Sequence, residues 1–361
     1  MKPSWIHVVK GRTARQARVG TIGTFHEELF GRAGFVGPTA MLYHGASPSE
    51  LLRVEGDTRV RVGTVTQLAT SDLDDARGDF EPLLVNSDLK IGISRRCVPM
   101  PYCYRNAVGD LLYFVHRGTG VFATEFGPID YEPGDYILLP RGTTFRHLPA
   151  DAEGIFYVVE SRLPVRFTEH AQIGRHAPFD PAIITIPDVK DYGWPAQDEW
   201  ELRVKHSAGH TSLFLSNCPI DLVGWKGDLF PFKINIRDII PIMSDRIHLA
   251  PTAWCTFETD TALIVTFLPQ TAVTDLTAEE LPSNHRNIDC DEAVFIHADK
   301  MRPDGILLHL PQAIMHGSKQ GDRDAFQATR TTSMRRELTG VSVDAFEPLQ
   351  PTDAFRNIAG G

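Results

Sequence analysis

From about residue 56 the chain breaks into short runs in which apolar and polar positions alternate. In the stretch TRVRVGTVTQL, Val60, Val62 and Val65 stand among polar residues, the period of a half-buried strand. The runs SDLKIGISRR, LLYFVHRGTGVFATEFG, IDYEPGDYILLPRGTTFRH and GIFYVVESR follow, with HRGTG and YEPGD as turns. A strand pair is predicted in WELRVKHSAGHTSLFLSN, and further strands at Trp254–Phe257, Ala262–Phe267, Glu292–Ile296, Gly305–His309 and Ala325–Thr332. Many short strands at this spacing predict an all-β chain built of barrels or jelly rolls. Phe25–Phe30 reads as a short helical turn, residues 335–361 as a loose tail or wrapping segment, and no long amphipathic helix is visible.

Composition narrows the class. A chain of 361 residues holds two or three domains. Its 42% hydrophobic and 23% charged residues are those of an ordinary globular protein. The net charge of −10 argues against a nucleic-acid partner, which needs a basic surface. No apolar run reaches membrane-span length, and the N-terminus lacks a signal-peptide core, so no membrane partner is expected. The cysteines at 97, 103, 218, 255 and 290 form no CxxC pair, which suits free thiols in a cytoplasmic setting.

One block occurs twice. Near the C-terminus the chain reads His285-Arg286-Asn287-Ile288-Asp289-Cys290-Asp291-Glu292, then Gly305, Pro311 and His316. In the N-terminal half it reads Tyr104-Arg105-Asn106-Ala107-Val108-Gly109-Asp110-Leu111, then Gly134, Pro140 and Phe145. The spacing within the blocks is the same, but His, Glu and His in the second are Tyr, Leu and Phe in the first. Two histidines and a carboxylate form the facial triad of non-haem Fe(II) sites that activate O2. A lone histidine is usually an ordinary polar residue. Here three residues of the right chemistry fall on matched positions, and the sister block shows what a structural version carries there. Asp291 competes with Glu292 as the ligand. Its partner Asp110 is retained where the site is lost, so Asp291 is assigned to the turn and Glu292 to the metal. Arg286 is read as structural. Asn287 holds a ligand-like position from which it could meet the substrate.

The two blocks resemble the paired motifs of cupins, small β-barrels that bind metal through H-x-H-x(3–4)-E and G-x(5)-P-x-G-x(2)-H. Asn287 replaces the second motif-one histidine, and Ala313 replaces the glycine before His316. The expected fold is thus a mostly all-β bicupin of two jelly-roll domains, the first without metal. It divides into residues 1–165, with an N-terminal wrapping segment, and residues 166–361, with a connecting segment and tail.

The runs KGRTARQA…TFHEELFGRAGFVGPTAMLYH, YRNAVGDLLYFVHRGTGVFATEFG, DLVGWKGDLFPFKINIRD and NHRN…E…MHG resemble the homogentisate 1,2-dioxygenase family, in the same order, from residue 10 to about 320. The resemblance implies a cytosolic Fe(II) enzyme that uses O2 to open a para-hydroquinone ring, assembled as a homo-oligomer (trimer or hexamer). It implies His285, Glu292 and His316 as iron ligands, His248 as the base receiving a phenolic proton, and His309 and Asn287 as pocket residues. Ser283-Asn284 stands where the family has two tyrosines, the first a substrate contact, which makes Ser283 a substrate-side position. The family's loop between the carboxylate and second histidine ligands is also longer. A gentisate, hydroquinone or aminophenol ring is therefore an alternative substrate. The rivals from other classes are a cupin isomerase or decarboxylase that needs no O2, and a metal-free storage or sensor bicupin.

Overall fold

The computed structural model describes residues 8–13, 26–32, 38–169, 178–240, 242–244, 249, 251–271, 284–300, 304–317 and 335–360. It is almost entirely β; the described α-helices are the short Ser71–Asp74 and Asp353–Ile358. Two large sheets dominate. One orders its strands Phe232–Asn235, Asp135–Leu139, Asp110–Arg117, Ile155–Ser161, Leu89–Ser94, Glu81–Val85 and Gln350–Pro351. The other runs Arg166–Phe167, Cys255–Glu258, Ala262–Phe267, Thr339–Ala345, Asp291–Ala298, Ile306–Leu310, Arg61–Thr64 and Ala359–Gly360.

These sheets pack back to back. Leu112, Phe114, Tyr157 and Val159 of the first share one core with Ala293, Phe295, Val341 and Val343 of the second. The Tyr157 and Phe295 rings stack with centroids 5.0 Å apart. The opposite face of each sheet lines its own barrel: Leu111, Tyr113, Val115, Phe156 and Val158 in the first, Val294, Ile296 and Leu310 in the second. Because both faces are covered, strands such as LLYFV and IFYVV read as unbroken apolar runs. The fold is a bicupin.

Among the described residues the repeat seen in the motifs extends to the strands around them, and each repeat lends strands to the other's barrel. Hairpin Trp200–His206/Gly209–Leu215 lies parallel to Cys103–Asn106 of the first barrel, with Arg203 opposite Tyr104. Hairpin His26–Gly31/Thr39–His44 lies parallel to Asn284–Asn287 of the second, with Leu29 opposite His285. Phe232–Asn235 pairs with Asp135–Leu139, and Arg61–Thr64 pairs with Ile306–Leu310, in matching register.

Most predicted strands appear within a residue or two, and Ala262–Phe267 has the predicted limits. Ala325–Thr332 lies outside the described residues. Two readings are corrected. Phe25–Phe30 is no helical turn, since His26–Gly31 is a strand beside His285. The C-terminal segment is no loose tail: Thr339–Ala345 is fully buried between Ala262–Phe267 and Asp291–Ala298. Its polar positions Ser342 and Asp344 share the sheet face of Glu292, which points into the barrel rather than to water.

Candidate metal centre

His285 lies on the strand Asn284–Asn287 and Glu292 near the start of Asp291–Ala298, joined by the turn at 288–290. His316 returns beside His285 through two backbone hydrogen bonds of 2.9 and 3.1 Å. That return follows the turn after Pro311, where Ala313 takes φ +60° and its amide donates to the Asn287 carbonyl. At the matching position of the first barrel, Gly142 has φ +89° and donates to Asn106. The left-handed backbone explains why the motif favours glycine, and why Ala313 there is strained.

The three side chains converge. The Nε2 atoms of His285 and His316 are 2.8 Å apart, and Glu292 Oε1 lies 3.6 Å and 3.9 Å from them. The donor atoms all lie within 4.8 Å of one another, the only such group of three among the described residues. His316 Nδ1 lies 2.9 Å from the Ile314 carbonyl and donates to it, leaving Nε2 as a lone-pair donor. Burial, then the charge of His285, pushes the His316 pKa down to about 4, so it is neutral near pH 7. Burial alone would raise the Glu292 pKa; His285, His316 and the Asn287 amide outweigh it and hold the group below its ordinary value. Two imidazole Nε2 atoms facing each other beside an ionised carboxylate are a donor set that a divalent cation satisfies.

Asn287 is part of the cluster, its amide donating to Glu292 Oε1. Asp291 faces elsewhere: it accepts from the amides of Gln312 and Leu349, both at 2.8 Å, and meets His309 Nε2 at 2.9 Å. Asp110 does the same in the first barrel, accepting from Arg141 at 2.7 Å and Val165 at 2.8 Å. The structure does not bring His309 to the triad. It pairs with Ala293 on the sheet face opposite Glu292 and is held by Asp291. His248 and Ser283 lie outside the described residues.

Sequence reasoning missed Asp344, which is buried directly across the ladder from Glu292. Ser342 donates to it at 2.8 Å, and burial followed by repulsion from Glu292 pushes its pKa up to about 8. The signal available was the alternation TGVSVDA and its counterpart Glu160, which lies across from Leu111. Glu160 accepts from Asn106 at 2.8 Å and pairs with Lys205 at 2.8 Å. Elsewhere the first barrel is filled with rings. Tyr104 meets Phe145 edge-on at 5.5 Å, and Phe122 packs on both Phe145 and His147. Phe122 arrives on the hairpin Gly120–Thr124/Gly127–Tyr131, within the connection 118–134. The corresponding connection of the second barrel is only 299–305, too short for such a hairpin.

The fold and the cluster together define a bicupin with one barrel closed by aromatic side chains and one carrying a two-histidine, one-carboxylate group. The family model described as "Homogentisate 1,2-dioxygenase N-terminal" matches residues 88–236, the first barrel with its borrowed strands. A protein of Saccharolobus solfataricus named "Putative dioxygenase" is 30% identical over 286 residues, 74% of this chain and 73% of that one. Homogentisate 1,2-dioxygenase of Bradyrhizobium diazoefficiens is 29% identical over 273 residues, 69% of this chain and 57% of that protein. A cupin 2 conserved barrel domain protein from Leptotrichia buccalis aligns over 82% of this chain and 93% of its own, with 9% identity and a TM-score of 0.32. The chain belongs to the homogentisate dioxygenase family. It spans 57% of the length of the Bradyrhizobium enzyme. Among the described residues no helix is long and apolar enough to cross a membrane.

Proposed function

We propose that this protein is an Fe(II)-dependent dioxygenase that uses O2 to cleave the ring of a homogentisate-like, para-dihydroxylated phenol. The observation that carries the reading is the convergence of His285, Glu292 and His316 in one barrel, where the other has Tyr104, Leu111 and Phe145. Bound Fe(II) supplies a Lewis acid with open positions for a phenolate and O2. His285 and His316 present Nε2 to it, and Glu292 contributes the negative charge. The Ile314 carbonyl fixes the His316 tautomer and Asn287 orients the Glu292 carboxylate. His248 takes the role of base for the substrate hydroxyl, on the family resemblance and the ordinary pKa of imidazole. Among the described residues the second barrel has no hairpin like the one that carries Phe122 into the first, and in this reading the ring enters on that side.

Residues 1–165 and 166–361 are the two repeats in this reading, each lending strands to the other. A homo-oligomer, trimer or hexamer, acting in the cytoplasm is part of the same proposal. The test is an oxygen-electrode screen of the Fe(II)-loaded protein with homogentisate, gentisate, hydroquinone and aminophenols. Uptake of one O2 per ring opened supports the reading. A metal-loaded protein that consumes no O2 with any of them shifts it to a cupin isomerase or decarboxylase.

A further inference from the structure

The strand that carries His285 has few neighbours. Its sheet holds three strands, Thr39–His44, His26–Gly31 and Asn284–Asn287, in that order. On one side, among the described residues, it has the isolated bridge from His285 to His316 and the bond from the Ala313 amide to the Asn287 carbonyl; on the other it is paired with the borrowed N-terminal hairpin. Leu29 is opposite His285 and Gly31 opposite Asn287. The same hairpin grips the residue between them. Glu28 is only 2% exposed, and its Oε1 lies 2.7 Å from Arg286 Nε. Its Oε2 lies 2.6 Å from His44 Nε2 on the other strand of the hairpin. The Arg286 guanidinium also lies over the Phe30 ring, 4.8 Å from its centroid. One repeat position away, the first barrel has nothing comparable: Leu202 takes the register position of Glu28.

We infer that the N-terminal hairpin is a working part of the metal centre and that Glu28 is a positioning residue for it. By holding Arg286 from below while Phe30 covers it, Glu28 fixes the backbone and rotation of a four-residue strand that carries both His285 and Asn287. A buried carboxylate is costly unless it is paired, and both oxygens of Glu28 are matched, one by Arg286 and one by His44, so the charge is tied to the strand that carries His285. Arg286, which looks structural from sequence, acts as the handle through which the hairpin holds the ligands. The strands His26–Gly31 and Thr39–His44 thus belong to the site although more than 240 residues separate them from His285 in the chain. This rests on the metal reading above.

The test uses the full chain and Co(II) as the probe, with binding isotherms and the visible d–d spectrum as readouts alongside kcat and KM. Glu28→Ala is expected to weaken Co(II) binding about ten- to a hundredfold, as for other residues that orient metal ligands, and to change the Co(II) bands. Glu28→Gln keeps the volume and the acceptor oxygen without the charge. It is expected to melt like wild type as the apo protein, yet still to bind Co(II) at least about threefold more weakly. Asp135→Asn breaks a matched buried pair with Lys233 in the first barrel and is expected to leave the Co(II) isotherm and spectrum unchanged. A wild-type chain that binds no Co(II) overturns the metal reading and this inference with it. A wild type that binds, with both Glu28 variants equal to it, overturns the positioning role alone. So does an Asp135→Asn variant that loses as much affinity as Glu28→Ala.

Discussion

Asp291 and Glu292 are adjacent carboxylates with opposite expected behaviour toward metal, and substituting each shows which of them binds it. Asp291 is 2% exposed, its Oδ1 accepting from Gln312 and its Oδ2 from Leu349, both at 2.8 Å. An asparagine has one carbonyl oxygen. Whichever way it turns, its NH2 faces one of these two amides, and one buried N–H loses its acceptor. Such a group costs about 1–3 kcal/mol. Asp291→Asn should therefore lower the free energy of unfolding of the apo protein by that amount, while metal still binds with about one equivalent. The first barrel supplies an internal control. Asp110 holds Arg141 and Val165 in the same way, so Asp110→Asn should cost a similar amount far from any metal. Glu292→Ala differs in the metal. It removes a donor and should abolish metal binding, and it also takes from the apo protein a carboxylate that His285, His316 and the Asn287 amide hold below its ordinary pKa, so the loss of metal is the outcome that distinguishes it from Asp291→Asn. Urea titrations of the apo forms and metal analysis after anaerobic Fe(II) loading measure both quantities. If Asp291→Asn loses the metal while Glu292→Ala keeps it, the ligand assignment is wrong by one residue and the reading of the paired blocks fails.

Four further outcomes are expected. Metal analysis should give about one equivalent per chain, and His316→Ala none, as for a single three-ligand site; two equivalents, with one surviving the substitution, would show that the first barrel also binds. His116 is buried at the join of the barrels, 2.9 Å from His297 through their Nδ1 atoms, and burial pushes its pKa down to about 3. The unfolded chain then takes up more protons below the ordinary value of 6.5, so this stability is present at higher pH and is lost as pH falls from there towards 3; between pH 7 and 4.5, His116→Gln should lose about 2 kcal/mol less than wild type, and equal losses refute the assignment. Ala313→Gly relieves a left-handed backbone and should raise stability by about 0.5–1 kcal/mol in urea titrations; a destabilised variant would contradict the strain argument. With Ser283 in place of a family tyrosine, homogentisate should be a poorer substrate than another para-dihydroxylated or ortho-amino phenol; a kcat/KM of about 10⁴–10⁸ M⁻¹s⁻¹ for homogentisate, above every other ring, would restore it as the native substrate.

The sequence by itself determined the class of fold and the three side chains of the cluster. Local information suffices for both. A strand's period is written in its own residues, and a duplicated block whose spacing survives while its chemistry changes marks which positions carry the chemistry. The same comparison separated Asp291 from Glu292, because Asp110 persists where no ligand remains. Tertiary structure decided which residues surround the cluster. Residues 335–361 read as a loose tail or wrapping segment, yet Thr339–Ala345 is a buried strand whose Ser342 and Asp344 face the inside of the barrel that holds Glu292. His309 looked like a pocket residue until its ladder partner placed it on the other face, against Asp291. The hairpin His26–Gly31/Thr39–His44 gave no sign of its place beside His285, since the exchange of strands between repeats joins segments that no local pattern relates. Which face of a strand meets water, and which distant strand pairs with it, depends on burying apolar area and satisfying backbone hydrogen bonds across the whole molecule, and no single segment contains that information.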